Sequence, residues 1–155
     1  MYCTGLGLTE ILTNAVKVYV GYLRPIFYDI CVPDDTYENC TSGEDNGVRV
    51  SFPSGHSSLS FCGLGLLAFF LERRYGVSSL RKWNQDPTSG ELHLIQIQPV
   101  RMERVFSVIS YAPFLLAGFI AASRVADNKH FPADVVGGSI LGASIAKMVH
   151  GVWYD

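Results

Sequence analysis

Long runs without charge alternate with short, charge-dense stretches along this chain. No Asp, Glu, Lys or Arg occurs between Val50 and Leu71, nor between Val105 and Ser123. Each run approaches the roughly 20 residues that a membrane-crossing helix requires. A third run, Val135 to Tyr154, is interrupted only by Lys147, close enough to one end to snorkel toward headgroups. It ends in Trp153 and Tyr154, which suit a membrane interface. A fourth segment, about Leu8 to Tyr28, carries Glu10, Lys17 and Arg24, charges that break the apolar pattern and need a reason. The pattern predicts an all-α membrane bundle of about four transmembrane helices, with Cys31 to Ser51 and Glu72 to Arg104 as connecting loops. A soluble protein with buried helices explains one such run, but not three in 155 residues.

That length suits a single domain spanning residues 1–155. Only 17% of the residues are charged, where about 25% is usual for a soluble domain. A formal net charge of -2 supplies no field for nucleic acid, so the expected partner is a lipid bilayer and not a polynucleotide. No secretory leader is expected, because Met1 to Leu8 lacks a basic residue and Glu10 and Lys17 interrupt the apolar run after it.

The loops differ in charge. Glu72 to Arg104 holds Arg73, Arg74, Arg81, Lys82, Arg101 and Arg104, whereas Cys31 to Ser51 holds Arg49 as its single cation beside five acidic residues. The positive-inside rule then makes the former cytosolic, with both termini, and turns the latter and the Arg124 to Asp134 turn toward the lumen or the exterior. Cys31 and Cys40 share that outer loop, where a disulfide competes with glycosylation of the Asn39-Cys40-Thr41 sequon. Four scattered cysteines without a CxxC pair argue against structural zinc, and Cys62 reads as a small core residue.

The chemistry collects at the outer helix ends. Lys17 and Arg24 are seven residues apart, which on a helix places both on one face about 10 Å apart. Pro25 disfavours helical geometry at Arg24 and puts it near the helix end. In Pro53-Ser54-Gly55-His56, Ser54 is placed to cap the next helix, whose first-turn N–H groups favour an anion; Gly55 permits close approach and His56 is a proton carrier. Ser123 and Arg124 end the Val105 to Ser123 run, the third helix in chain order, and His130 and Asp134 stand four apart where the last helix opens, so the carboxylate can orient the imidazole. Pro132 fits only a first helical turn, which makes that pairing approximate. Each feature alone has an ordinary structural explanation: an interhelical salt bridge, a capped helix start, a loop histidine. Together they place Lys17, Arg24, Arg124, two histidines, one carboxylate and a helix N-terminus in one layer, the requirements of a phosphoryl-transfer site. No cluster of Asp, Glu or His offers a pair of metal sites, which leaves charge neutralisation to the three cations.

Lys17-x6-Arg24-Pro25, Pro53-Ser54-Gly55-His56 and Ser123-Arg124-x5-His130-x3-Asp134 resemble, in order, the three signature motifs of the type 2 phosphatidic acid phosphatase (PAP2) superfamily. Their contexts are similar to those of its lipid phosphate phosphatase branch. The resemblance covers about residues 8 to 150. It implies hydrolysis of a phospholipid phosphate such as phosphatidate, with His130 as nucleophile through a phosphohistidine, Asp134 holding its ring and His56 protonating the leaving alkoxide. Lys17, Arg24, Arg124, Ser54, Gly55 and Ser123 would bind the phosphate oxygens, and no metal or other cofactor is implied. The branch has a core of six membrane helices, relative to which this chain starts at the third. Pro132 and Ala133 replace residues that are larger and more polar in many relatives. The alternatives are a truncated, non-catalytic lipid-binding or regulatory membrane protein, and a related sugar-phosphate phosphatase or haloperoxidase pocket. A close packing face is also expected on the last helix, where Gly138 and Gly142 are four apart.

Overall fold

The computed structural model describes residues 1–30, 47–75, 81–85, 92–96 and 101–154. The sequon at Asn39 and the Cys31 and Cys40 pair lie outside the described residues. The architecture is helical: α1 (Tyr2–Val20), a single turn α2 (Phe27–Ile30), α3 (Gly55–Tyr75), α4 (Arg101–Ser110), α5 (Ala112–Ala126) and α6 (Pro132–Tyr154). One two-stranded antiparallel hairpin interrupts it, β1 (Arg81–Gln85) against β2 (Leu92–Gln96), with Arg81 opposite Gln96 and Gln85 opposite Leu92. The hairpin stands inside the stretch that the sequence pattern marks as loop.

Helix α3 is the centre, packed by α6, α5, α1 and α4. Its buried side is small or polar over the first turns (Ser57, Ser58, Cys62) and apolar further along (Leu66, Ala68). Cys62 and Leu66 join Ile145, Ala146 and Val149 of α6 in the main apolar cluster. Helix α1 likewise turns Gly5, Thr9 and Thr13 inward, while Val18 and Tyr19 are 81% and 92% exposed. Large apolar side chains also face outward on α5 and α6, among them Leu115, Phe119 and Ile140. Small residues within and bulky apolar ones without is the inverse of a water-soluble bundle.

Two helical stretches of the described residues are long and apolar enough to cross a membrane by length and composition, Arg104–Ala126 and Pro132–Tyr154. Helix α3, 21 residues long, has the length but is less apolar, and α1 also falls short, so two of the four expected spans meet the criterion. The apolar run from Val105 to Ser123 is divided at Tyr111 into α4 and α5. Pro113, in the first turn of α5, has no N–H to continue the ladder. Helix α1 ends eight residues before the expected Tyr28, because Gly21 adopts left-handed geometry (φ 55°) and donates its N–H to the Lys17 carbonyl at 3.1 Å.

Gly138 and Gly142 lie at the closest approach of α6 to α3. A Cβ at Gly138 would overlap the Ser54 carbonyl oxygen, and one at Gly142 the Ser58 carbonyl oxygen. These are backbone atoms, so no side-chain rotation relieves the clash. Gly142→Leu should separate the two helices and lower the thermal unfolding midpoint in detergent by roughly 10 °C or more, as expected for an overpacking cost of a few kcal/mol. Circular dichroism melts check this, and an unchanged midpoint would contradict the packing.

Candidate active site

The C-terminal end of α1, the N-terminal ends of α3 and α6 and the C-terminal end of α5 meet in one layer. Three backbone bonds tie it together. Arg24 donates its N–H to the Val48 carbonyl (2.8 Å) and Ser51 to the Tyr22 carbonyl (2.7 Å), which lays the segment after α1 beside the approach to α3. Ser54 donates its N–H to the Asp134 carbonyl (2.9 Å), joining the start of α3 to the start of α6. Arg24 therefore lies beyond α1, and not on a helical face shared with Lys17 as the spacing suggested; the left-handed Gly21 ends the helix between them.

His130 is reached by a tight turn after α5. The Arg124 carbonyl accepts the N–H groups of both Lys129 (3.1 Å) and His130 (3.3 Å), and Asn128 takes a positive φ of 53°, a region that asparagine tolerates. Pro132 opens α6, so His130 precedes the helix, as the position of that proline implied. Asp134 stands in the first turn and reaches back: its Oδ2 accepts the Phe131 N–H at 2.9 Å, the geometry of a capping residue. The same oxygen lies 3.6 Å from His130 Nδ1 and accepts the hydroxyl of Ser51. Ser51 Oγ is in turn 3.4 Å from His130 Nδ1. Ser51, His130 and Asp134 are all buried, at 0%, 3% and 1% exposure. Because Nδ1 faces the serine and the carboxylate, Nε2 is the ring nitrogen left for a reactant.

Burial pushes the His130 pKa down to about 4, with the Arg24 charge acting the same way and Asp134 opposing both. The imidazole is thus neutral, with its lone pair available, throughout the physiological range.

Lys17 extends its ammonium over the start of α3, where a Cβ at Gly55 would stand 3.4 Å from Nζ. Arg24 is half-buried, and its Nε is buried without a hydrogen-bond partner among the described residues. Its charge acts on both His130 and Asp134. Arg124 is fixed differently. Its Nε and Nη2 donate to Ser123 Oγ (3.2 and 3.0 Å), and Nη2 also pairs with Asp127 at 3.0 Å. Ser123 itself donates to the Ile120 carbonyl at 2.8 Å, so its hydroxyl serves to aim Arg124. Ser54 is fully buried, and its Oγ accepts the Ser57 hydroxyl (3.1 Å) and, at a long 3.5 Å, the Ser57 N–H expected of a cap. His56 is exposed on the first turn of α3, within the fields of Arg124, Lys17, Lys129 and Arg24. All nine residues expected from the sequence are thus found in or against this layer.

Two residues there were not expected. Lys129 adds a cation, legible in principle because it adjoins His130. Ser51 carries no spacing signal, since its partners lie 79 and 83 positions away. The layer supplies a neutral, oriented imidazole, a second exposed imidazole and several cations with an unfilled donor, an arrangement that accepts an anion at a nucleophilic nitrogen.

Comparison with known proteins agrees with the motifs. The family model described as PAP2 superfamily matches residues 1–155. The chain is 32% identical to lipid phosphate phosphatase 2 of Arabidopsis thaliana, over 92% of this chain and 46% of that protein. It is 34% identical to diacylglycerol pyrophosphate phosphatase 1 of Saccharomyces cerevisiae, over 97% and 51% respectively. Against a putative phosphatidate phosphatase of Drosophila melanogaster the figures are 29%, 96% and 39%. The chain spans about half the length of the curated relatives it matches. No solved structure matches it. With its three motifs gathered in one layer and the family model matched from end to end, the chain belongs to the PAP2 superfamily.

Proposed function

We propose that the chain is an integral-membrane lipid phosphate phosphatase that releases inorganic phosphate from monoesters such as phosphatidate without a metal. The observation that carries the reading is the buried Nε of Arg24, which has no hydrogen-bond partner among the described residues, beside a neutral His130 whose Nδ1 is already engaged. An anion held by Arg24, Lys17 and Arg124 presents its phosphorus to Nε2. The Nε2 lone pair forms the P–N bond as the P–O bond to the alcohol breaks, and His56 gives its proton to the departing alkoxide. The phosphorylated ring keeps its Nδ1 proton, and Asp134 with Ser51 stabilises the positive charge that develops there. Water, deprotonated by His56, then attacks phosphorus; the P–N bond breaks and His130 is neutral again. Gly55 permits the close approach of the phosphate, and Ser54 and Ser123 set the helix start and the Arg124 guanidinium.

Relatives named as phosphatidate and lipid phosphate phosphatases support a lipid substrate. The outward apolar faces of α5 and α6 support insertion in a bilayer, and the basic residues of 72–104 support a cytosolic position for that stretch, with the histidines on the lumenal or external side. Fixed cations keep their charge in any chelator. Phosphate release is therefore expected to be unchanged, within about twofold, by excess EDTA and to be blocked by vanadate, which mimics the five-coordinate phosphorus. Loss of activity in EDTA that magnesium restores would contradict this mechanism.

A further inference from the structure

Glu10 is the other charge of α1, and its field reaches Lys17 of the phosphate layer. It lies two turns before Lys17, about 10 Å nearer the middle of the helix, in a segment otherwise rich in apolar residues. Its side chain is exposed, so a ligand held beside α1 can reach it. Thr13 and Asn14 occupy the turn between, so a polar stripe descends α1 from the phosphate layer. Together with Gly55, His56 and Ser60 of α3 it lines a cleft of about 270 Å³. The cleft is a built feature. Gly55 leaves its floor open, since a Cβ there would stand 3.4 Å from Lys17 Nζ and 3.9 Å from Thr13 Cγ2. The Thr13 and Ser58 hydroxyls, 2.9 Å apart and buried, fix α1 against α3 at this level. Asn14 Nδ2 donates to Glu10 Oε1 at 3.0 Å, which orients the carboxylate and leaves Oε2 as an acceptor.

The two ends of the cleft have opposite chemistry. Lys17 and His56 at one end suit the phosphate and the oxygen that leaves it; Glu10 at the other repels an anion and accepts hydrogen bonds. With the phosphate at the first end, the alcohol half of the ester runs toward the second. We propose that this cleft is a subsite for the leaving alcohol, and that Glu10 selects lipid phosphates whose alcohol carries a free hydroxyl or ammonium within a few bonds of the ester oxygen. Fully acylated alcohols offer Glu10 no donor. The proposal rests on the phosphatase reading above.

The test compares kcat/KM of the full chain in mixed micelles for 1-oleoyl lysophosphatidate (a hydroxyl donor), a long-chain 2-amino-alcohol phosphate (an ammonium donor) and dioleoyl phosphatidate (no donor), all at one surface fraction. Glu10→Gln is the variant, because it preserves shape and can still accept the Asn14 amide. The expected result is preference for the donor-bearing esters, reduced about tenfold by Glu10→Gln while phosphatidate changes less than about twofold, the scale of a hydrogen bond to a charged group. Loss confined to the ammonium ester would identify that donor as the recognised one, and loss confined to lysophosphatidate the hydroxyl. Hydrolysis of all three with ratios unmoved by the variant, or losses equal for all three, would overturn the subsite and leave the phosphatase reading standing. Hydrolysis of none would overturn that reading, and the subsite with it.

Discussion

Replacing His130 by alanine should reduce phosphate release by about 10⁴-fold or more and remove any acid-labile phosphoryl-enzyme, because among the described residues His130 is the imidazole paired with a carboxylate. The site is specialised around this one ring. Its Nδ1 is turned toward Asp134 and Ser51, its Nε2 is left free, and burial with the Arg24 charge keeps it neutral down to about pH 4. His56 sits on the first turn of α3, exposed and without a carboxylate four residues on. Rapid alkaline quench after mixing with ³²P-labelled lipid, followed by gel analysis without acid fixation, measures the intermediate. A phosphoryl-enzyme trapped on His130→Ala would show that another residue attacks phosphorus.

The second large effect is expected at His56 and depends on the substrate. An alkoxide leaves poorly without a proton, so His56→Ala should slow hydrolysis of phosphatidate by about 10²- to 10⁴-fold, the usual contribution of a general acid. The p-nitrophenolate of p-nitrophenyl phosphate leaves almost unaided. The variant should therefore phosphorylate His130 with p-nitrophenyl phosphate at close to the wild-type rate. It should then stall, because the proposed mechanism assigns the activation of water in the second step to the same imidazole. A burst of p-nitrophenol equal to the enzyme present, followed by slow turnover, is the expected trace in stopped flow. Equal losses for both substrates with no burst would assign His56 to binding instead of proton transfer.

The helical class of the fold and the layer in which the motif residues meet were both legible in the sequence, whereas the breaks between elements were not. His130 and Asp134 are four residues apart, and Pro132 between them fixes where α6 begins, so the short pairing of ring and carboxylate is a matter of local geometry. Lys17 and Gly55 were readable for the same reason: each sits at a helix end that charge, glycine or proline marks. Arg24 reached the expected layer by a different route. A seven-residue spacing suggested a continuous helix, but Gly21 turned left-handed and a backbone pairing with Val48 then held the arginine in place. Such pairings between distant segments leave no periodic trace, and Ser51 was invisible for that reason. The division at Tyr111 was masked by an unbroken apolar run, since hydropathy is insensitive to the N–H that Pro113 lacks. The hairpin at Arg81–Gln85 and Leu92–Gln96 was hidden because that stretch was read by its charge, which carries no information on backbone geometry. Glycines 138 and 142 were legible as a close-packing face, but only the structure identifies Ser54 and Ser58 as the backbone they meet.

This chain, about half the length of the relatives it matches, is proposed to perform lipid phosphate hydrolysis by itself. The purified 155-residue chain in detergent, given dispersed phosphatidate in the presence of EDTA, is the direct measurement. Inorganic phosphate and diacylglycerol should appear in equal amounts, with no release by the His130→Ala variant prepared alongside. A chain that is helical by circular dichroism and melts cooperatively yet releases no phosphate, or one whose release is unaffected by His130→Ala, would contradict the proposal.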